Sequence, residues 1–452
     1  MDPSLDTIAS QLADLYRDAI DPVAGRFVWR ARPALGELRG SPMVLLLGNH
    51  SSGKSSFINY LLSADVQKTG LAPTDDGFTV IAHGARDETR DGAALVGNPE
   101  LPFGPLGTFG DGLVSHLRLK RRQHALLEQL TLVDSPGMID SLGDDGGRGY
   151  DFPGVVRWLA ERADVVLFFF DPDKPGTTGE TLHVFEQSLR GLDHKLLIVM
   201  NKMDRFRGLQ DFARAYGALC WNLGKIIPRK DLPLIYTTYT PVEGAPPPTL
   251  PAKDFDQARQ SLVDEVRRAP MRRVDNLLTQ TADFAERLRM HARVLDAAAR
   301  DLRRFRRKAR LWVAGATGTM AGVTVVAGLS GAAPGLTIGL AVGAAGLLWG
   351  GLTLARALVA RERGHLLQGL DGIFERLYAR PLLVRDRTDD LRARWKAVQE
   401  RTLRTATALD LAATPRLKSN ELKKLSAAID GELPRLRAAL HAHDGDKPLP
   451  AG

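Results

Sequence analysis

Residues 48–55 read Gly48-Asn49-His50-Ser51-Ser52-Gly53-Lys54-Ser55, and this stretch decides the fold. It fits the pattern G-x-x-x-x-G-K-[ST], whose glycines let backbone N–H groups surround a phosphate at the start of a helix. The pattern requires a strand before it and a helix after it. An apolar run at 43–47 and a helical pattern at 57–62 meet both requirements. We therefore predict an α/β fold with a phosphate-binding loop.

The side chains of this loop are expected to supply charge and a hydroxyl to a bound nucleoside triphosphate. Lys54 would place a positive charge on the β- and γ-phosphates, and the Ser55 hydroxyl would bind Mg²⁺. His50 either approaches the β–γ bridge, where it would stabilise developing charge, or is a spacer. The nucleotide-binding residues predicted in this segment are Gly48, Asn49, His50, Ser51, Ser52, Gly53, Lys54, Ser55 and Ser56.

Two further tetrapeptides each follow a predicted strand. Asp134-Ser135-Pro136-Gly137 follows the run 130–133; Asp134 would hold Mg²⁺ through water, and Gly137 would sense the γ-phosphate. Asn201-Lys202-Met203-Asp204 follows the run 196–200. The Asp204 carboxylate can accept both N1–H and the exocyclic amine of guanine, and adenine offers no such pair. The three motifs predict one nucleotide site, to which the later two contribute Asp134, Gly137, Asn201, Lys202 and Asp204.

A loop threonine completes the predicted magnesium and catalytic sets. Thr74, in Pro73-Thr74-Asp75-Asp76, lies between the first two motifs, where a mobile loop would bring it to the metal and the attacking water. The predicted magnesium ligands are Ser55, Thr74 and, through water, Asp134. The predicted catalytic residues are Lys54, Thr74 and His50.

Composition bounds the class of protein. A chain of 452 residues allows about two or three domains. The single cysteine, Cys220, cannot form an internal disulfide, which favours a reducing compartment. The formal charge of +8 suits nucleic acid or an anionic membrane surface, and the position of the basic residues decides between them.

The stretch from Leu311 to Ala355 contains no charged residue. It divides at Gly331–Gly335 into halves that are each about long enough to cross a bilayer. Basic residues flank it at 303–310 and 356–363, which predicts that both ends face the cytosol. We therefore predict a transmembrane hairpin with the lipid bilayer as partner, and no nucleic-acid partner. A shallow hairpin in one leaflet and a buried core hairpin are the alternatives.

Glycines recur at small-xxx-small spacing inside this stretch. Such spacing lets two helices approach closely in lipid. The residues concerned are Gly318, Gly322, Gly335, Gly339 and Gly343.

Roughly residues 10–295 resemble the EH-domain-containing (EHD) ATPases of the dynamin superfamily. Beyond the phosphate loop and Asn201–Asp204, the resemblance rests on short strings: Pro73-Thr74 with Phe78, His83-Gly84, Arg148–Phe152, Trp158 with Ala160–Arg162, and Tyr216–Leu219 with Trp221, Leu223, Gly224 and Lys225. The resemblance implies an extended G domain flanked by helices from both chain ends. It also implies oligomerisation on membranes, stimulated hydrolysis and curvature remodelling.

The resemblance carries over to individual site residues. Lys54 and Ser55 match the family's phosphate and Mg²⁺ contacts, and Thr74 matches its switch threonine. Asp134 and Gly137 match its second switch. His50 stands where dynamins proper carry glutamine, so their catalytic detail does not transfer there.

Two other departures bear on partners and nucleotide. The last hundred residues contain no D-x-[DN]-x-[DN]-G calcium loop, so EH-type peptide ligands are not expected. The uncharged hairpin replaces the family's polar membrane-binding tip, which indicates constitutive anchoring. The hydrogen-bond argument at Asp204 favours GTP, whereas the resemblance implies ATP, and both stay open.

The predicted fold class is a P-loop G domain, with a mostly parallel sheet and helices on both faces, plus an α-helical stalk and a hydrophobic transmembrane hairpin. The predicted segments are N-terminal helices packing with the stalk (1–40), a dynamin-type G domain (41–240), a linker (241–253), stalk helices (254–310), the membrane hairpin (311–355), C-terminal stalk helices (356–441) and a tail (442–452).

The expected function is that of a membrane-anchored nucleoside triphosphatase. It would use Mg²⁺ and GTP, or ATP, assemble with itself into dimers and higher oligomers, and remodel membranes. The alternative is a membrane-tethered G-protein switch or scaffold that recruits partners without deforming lipid. Transport is disfavoured, because spans without charged residues offer no ion path. A composition rich in Ala, Arg, Gly and Leu favours a bacterial source. Together with the basic residues on both sides of the hairpin, it predicts a bacterial inner membrane with the G domain and both termini in the cytoplasm.

Overall fold

The computed structural model describes twelve parts of the chain: residues 3–29, 41–69, 77–99, 101–138, 148–173, 181, 183–227, 233–241, 249–250, 252–381, 385–409 and 411–445. Thr74, most of the predicted linker and the end of the predicted tail lie outside these ranges. Contacts divide the chain into two units. The first comprises Met1–Ala9, Ala34–Leu277 and Leu440–Gly452; the second comprises Ser10–Pro33 and Leu278–Ala439.

The strands, in chain order, are β1 (Met43–Gly48), β2 (Phe78–His83), β3 (Glu88–Asp91), β4 (Leu117–Arg122), β5 (Thr131–Asp134), β6 (Val165–Phe170), β7 (Leu196–Met200) and β8 (Ile235–Thr237). The helices are α1 (Pro3–Leu15), α2 (Asp21–Arg26), α3 (Lys54–Leu62), α4 (Gly92–Val96), α5 (Asp111–Ser115), α6 (Ala125–Gln129), α7 (Phe152–Arg162), α8 (Leu209–Ile226), α9 (Ala252–Arg267), α10 (Ala269–Leu329), α11 (Pro334–Gln368), α12 (Leu370–Tyr378), α13 (Arg385–Ala408), α14 (Ser419–Ala427) and α15 (Leu433–Gly445).

An eight-stranded sheet forms the centre of the first unit, in the order β3-β4-β2-β5-β1-β6-β7-β8. The pairs around β1, β6 and β7, together with β2–β4, are parallel. β2 runs antiparallel to β5, and β3 runs antiparallel to β4. The sheet is therefore mixed, and the expectation that it would be mostly parallel is confirmed.

Alternate residues of β1 point into two separate apolar cores. Leu45 and Leu47 join the cluster that contains Leu159 of α7 and Leu223 of α8. Val44 and Leu46 join the other cluster, which contains residues of α3 and α9. A strand that is buried on both faces reads as a continuous apolar run, as 43–47 does. The prediction of helices on both faces is thus confirmed.

A buried carboxylate fixes the start of β1, at the edge opposite the phosphate loop. The Asp164 carboxylate accepts the Met43 N–H at 2.9 Å, and the Arg273 guanidinium lies 3.6 Å away. Asn276 donates to the Asp164 carbonyl at 3.0 Å. Burial raises the pKa of Asp164, and Arg273 opposes that shift. The first turns of α10 are thereby joined to the sheet.

In the second unit, the N-terminal segment packs on α10. The Tyr16 hydroxyl donates to Thr281 at 3.1 Å. His291 is fully buried and lies 2.9 Å from Thr402 Oγ1 through Nδ1 and 3.1 Å from the Phe27 carbonyl through Nε2. Burial lowers the pKa of His291 to about 4, and Arg401 acts in the same direction. The imidazole is therefore a neutral packing group at physiological pH.

The uncharged stretch forms two helical arms that lie on the surface of the second unit. α10 ends at Leu329 and α11 begins at Pro334, so the predicted turn at 331–335 is observed. Both helices are long and apolar enough to cross a membrane, and their most apolar windows are 0% and 6% buried. Trp312 is 81% exposed and Trp349 is 74% exposed. The alternative of a hairpin buried in a water-soluble core does not fit this exposure.

The two arms approach each other closely at Gly351, which is not among the glycines at small-xxx-small spacing named above. A Cβ at Gly351 would lie 3.0 and 3.2 Å from the two Val313 methyl carbons. At Gly318, Gly322, Gly335, Gly339 and Gly343, a Cβ would meet no other described atom within 4 Å. These five glycines therefore do not form the contact between the two arms of this chain.

Candidate functional site

The phosphate-binding loop at the end of β1 depends on backbone shapes that glycine provides. Gly48 has φ +149°, and a Cβ there would lie 2.4 Å from the Phe169 carbonyl oxygen. Gly53 has φ +95°, and a Cβ there would lie 2.1 Å from Asn201 Nδ2. Ser51, between them, is also left-handed at φ 60°. α3 begins at Lys54, so the loop ends on a helix N-terminus, where backbone N–H groups attract anions.

Lys54 lies beneath this loop with its amine turned into it. The side chain is buried, and its Nζ donates to the carbonyls of Gly48 at 3.0 Å and Asn49 at 3.3 Å. Burial lowers the pKa of Lys54 to about 8; Asp134 opposes this shift and Arg148 adds to it. Among the described residues, the hydrogen-bond acceptors of this buried cation are neutral carbonyls, so the amine is suited to an anionic ligand.

A buried network holds the Asp134 carboxylate at the end of β5. Its Oδ2 accepts from Ser55 Oγ at 3.1 Å and from Gln67 Nε2 at 2.7 Å. Lys120 donates to Gln67 Oε1 and, at 2.9 Å, to the Val66 carbonyl. A hydroxyl and a carboxylate at this distance form the oxygen donor set that Mg²⁺ prefers, so these residues fit a magnesium ion.

Gly137 lies directly against the phosphate-binding loop. A Cβ there would lie 2.6 Å from His50 Cα. The His50 N–H donates to the Met138 carbonyl at 3.0 Å, and the Met138 N–H donates to Gly48 at 3.2 Å. The His50 ring is turned to Ser51, whose Oγ lies 2.9 Å from Nδ1. The second motif is therefore joined to the first by backbone pairing that a side chain at 137 would disrupt.

The third motif contacts the phosphate-binding loop through Asn201. Its Nδ2 donates to the Ser52 carbonyl at 3.0 Å. Lys202, in the left-handed region at φ 61°, forms an ion pair of 2.7 Å with the buried Asp171. Asp204 is exposed, in the short turn Met203–Arg205. All three motifs thus meet around one loop, whereas Thr74 stays a prediction.

Several residues that contact this site lie outside the three sequence motifs. Thr181 donates to Asn49 Oδ1 at 2.7 Å. Gln67 and Lys120 support Asp134, and Asp171 anchors Lys202. Arg148, the first residue of the EHD-like string 148–152, donates to the Gly137 carbonyl at 2.7 Å. Of these residues, Lys120 could have been noticed in the sequence. In a strand with leucines at 117 and 119, its side chain points to the opposite face of the sheet, which is also expected to be covered by helices.

This combination of sheet, loop and motif order defines a P-loop nucleoside triphosphatase domain. A family model described as "Dynamin family" matches residues 44–203. EH domain-containing protein 2 of Homo sapiens is 33% identical over 297 residues, covering 64% of this chain and 54% of that protein. EH domain-containing protein 1 of Arabidopsis thaliana is 31% identical over 316 residues, covering 68% and 58%.

Residues 44–203 therefore form a dynamin-family G domain, and this part of the chain is EHD-like in sequence. The predicted resemblance to the EHD proteins is confirmed. The chain spans little more than half the length of the curated relatives it matches. Overall likeness to solved structures is low: a chain of an oligomerised bacterial dynamin pair has a TM-score of 0.36 at 13% identity, covering 97% of this chain and 78% of that one.

Proposed function

We propose that this protein is a membrane-anchored nucleoside triphosphatase that assembles with itself and deforms lipid. The observation that carries the proposal is the presence, in one chain, of a built phosphate site and an exposed apolar hairpin. Lys54, Ser55, Asp134 and Gly137 meet at the phosphate-binding loop, and the hairpin exposes large apolar side chains that water would not favour.

Residues of the chain would promote hydrolysis by binding the phosphates and by stabilising their negative charge. Lys54 would bind the β- and γ-phosphates, the backbone of 48–54 would hold them, and Ser55, with Asp134 through water, would hold Mg²⁺. Thr74 would complete that set. His50 stays a catalytic candidate because it lies in the phosphate-binding loop, with its ring turned to Ser51. Mg²⁺, when bound, neutralises phosphate charge.

We propose GTP as the favoured nucleotide, with ATP as the alternative. Asp204 is exposed and follows Asn201, which contacts the phosphate-binding loop, so its carboxylate is accessible to a base. Guanine presents two adjacent donors to such a carboxylate. The resemblance to the EHD ATPases favours ATP, so the proposal of GTP rests on Asp204 alone.

Replacing Asp204 with asparagine is expected to exchange guanine for xanthine selectivity. The amide oxygen can still accept N1–H, but its NH₂ group suits the C2 carbonyl of xanthine better than the amine of guanine. We expect at least a tenfold loss of GTP affinity and a gain for XTP, measured by calorimetry. Tighter binding of ATP than GTP by the wild-type protein would decide for the alternative nucleotide.

The arm lengths of the hairpin favour spanning over shallow insertion. Leu311–Leu329 would extend roughly 28 Å and Pro334–Ala355 roughly 33 Å at about 1.5 Å per residue. The hydrocarbon core is about 30 Å thick. Trp312 and Trp349, both exposed near the bases of the arms, suit the headgroup level. Arginines follow immediately outside, which supports a cytoplasmic location for the G domain and both termini, at a bacterial inner membrane.

Self-assembly is supported by an exposed aromatic on the G domain. Trp221 is 71% exposed on α8, whose Leu219 and Leu223 are buried in the core. Lys225 lies 5.2 Å from its ring centroid. Exposed tryptophans are enriched in protein interfaces, so this face would pair with a second copy in dimers and higher oligomers. Neither nucleic acid nor EH-type peptide ligands are proposed as partners.

The test of the proposed function is hydrolysis by full-length protein with and without anionic liposomes, alongside electron microscopy. We expect turnover to rise severalfold on liposomes and rings or tubules to form, because assembly on lipid raises the local concentration of G domains. Lipid-independent turnover by a strictly monomeric protein would favour the tethered switch or scaffold instead.

A further inference from the structure

Arg148 is a cation beside the phosphate-binding loop to which the proposed function assigns no role. Its guanidinium carbon lies 4.0 Å from the centroid of the Phe152 ring. Its Nη2 donates to the Gly137 carbonyl at 2.7 Å. Because Phe152 is 1% exposed, the ring is a fixed platform, and the stacked guanidinium has lost most of its freedom.

The carbonyl that Arg148 binds belongs to the segment in contact with the loop. Gly137 abuts His50, and Met138 pairs with both His50 and Gly48. Arg148 therefore holds a positive charge against the segment that abuts the phosphate-binding loop.

We propose that Arg148 is a catalytic residue, an arginine supplied by the same chain that contacts γ-phosphate oxygens during hydrolysis. This inference rests on the proposed function. A guanidinium presents its five N–H donors in a planar fork, a geometry that matches phosphate oxygens. Its position at Gly137 couples it to the segment expected to sense the γ-phosphate.

In the reaction, the water oxygen forms a bond to the γ-phosphorus while the bond from that phosphorus to the β–γ bridging oxygen breaks. The electron pair of the broken bond stays on the β-phosphate, and the water proton passes to the released inorganic phosphate. Arg148 exchanges no proton. It stabilises charge on the transferring group, an effect worth about 10²–10³-fold for a single lost donor and more for an arginine in this role.

Arg162 provides a matched control within the same domain. Its guanidinium carbon also lies 4.0 Å from a ring centroid, that of Trp158, and it also donates to a backbone carbonyl, at 3.2 Å. It sits at the end of α7, next to the start of β6 and away from the phosphate-binding loop. Arg162→Ala therefore removes the same local interactions without removing a cation from the site.

The experiment compares wild type, Arg148→Ala, Arg148→Lys and Arg162→Ala as full-length protein. It measures kcat and KM, and the affinity for nucleoside diphosphate with and without fluoroaluminate, a mimic of the transferring phosphoryl group. For Arg148→Ala we expect kcat to fall at least about 10²-fold, diphosphate affinity to change less than about threefold, and the fluoroaluminate gain to disappear. Arg162→Ala should match wild type.

The outcomes separate this inference from the proposed function. Wild-type kcat in Arg148→Ala, or equal losses with and without fluoroaluminate, would overturn the role of Arg148 alone. A wild-type protein without turnover would overturn both. If Arg148→Ala does not fold, Arg148→Lys decides: it keeps the charge but loses the planar fork, so kcat should fall at least about tenfold, and full activity would refute the proposal.

Discussion

Replacing Lys54 with alanine is expected to lower nucleotide hydrolysis by at least about 10²-fold while the protein stays in the membrane. The Lys54 amine is the buried cation of the phosphate-binding loop, held by the carbonyls of Gly48 and Asn49. Without it, the β- and γ-phosphates would lose the buried cation that the loop places beside them. Turnover is measured by phosphate release, and membrane attachment by sedimentation with liposomes.

Lys253→Ala is the control for this change. Lys253 is exposed on α9, so its loss removes the same charge without touching the site. It should hydrolyse nucleotide at the wild-type rate. Full turnover by Lys54→Ala would show that the loop at 48–55 is not the site of hydrolysis, and a loss of membrane attachment would show that the variant fails to fold.

Placing an arginine in the middle of each hairpin arm is expected to release the protein from membranes. Val323 and Val342 are 54% and 67% exposed, so Val323→Arg with Val342→Arg should leave the fold intact. A charge near the centre of a spanning helix costs about 2.5–3.5 kcal/mol on insertion scales, so two would cost roughly 5–7 kcal/mol. That is at least about a thousandfold loss of insertion, measured by alkaline extraction and liposome flotation.

The conservative pair Val323→Leu and Val342→Leu tests whether the charge causes the effect. It keeps the apolar surface and should remain in the membrane fraction. Hydrolysis in the absence of lipid should be unchanged in both double variants, because neither residue lies in the first unit. Retention of the arginine variant in alkaline-washed membranes would contradict the anchoring role and leave the hairpin as a surface between protein copies.

The fold was predictable where a local rule covers it. Each of the three motifs follows an apolar run, and parallel strands meet their ligands at their carboxyl ends, so the runs 43–47 and 196–200 predicted the parallel strands that the sheet contains. The turn before Pro334 was predictable because proline cannot continue a helix. The site residues inside motifs followed from the chemistry of phosphate and Mg²⁺.

Contacts between distant parts of the chain could not be read from periodicity. The antiparallel direction of β2 against β5 depends on how the chain returns to the sheet, which an apolar pattern does not record. Gln67 supports Asp134 from 67 positions away in the sequence, and nothing local marks it. Lys120, 14 positions away, is marked only by its alternation with Leu117 and Leu119. The choice of Gly351 as the close contact between the arms depends on their relative rotation, which the spacing of glycines left open.

The contact between Gly53 and Asn201 has a consequence for how a ligand would be released. The asparagine amide occupies the space of a missing Cβ and donates to Ser52, so the turn expected to read the base is fastened to the loop expected to hold the phosphates. A change in the contacts of the base would thereby move the backbone that holds the phosphates, and the reverse would also hold. Loss of the terminal phosphate and loosening of the base would then be parts of a single event.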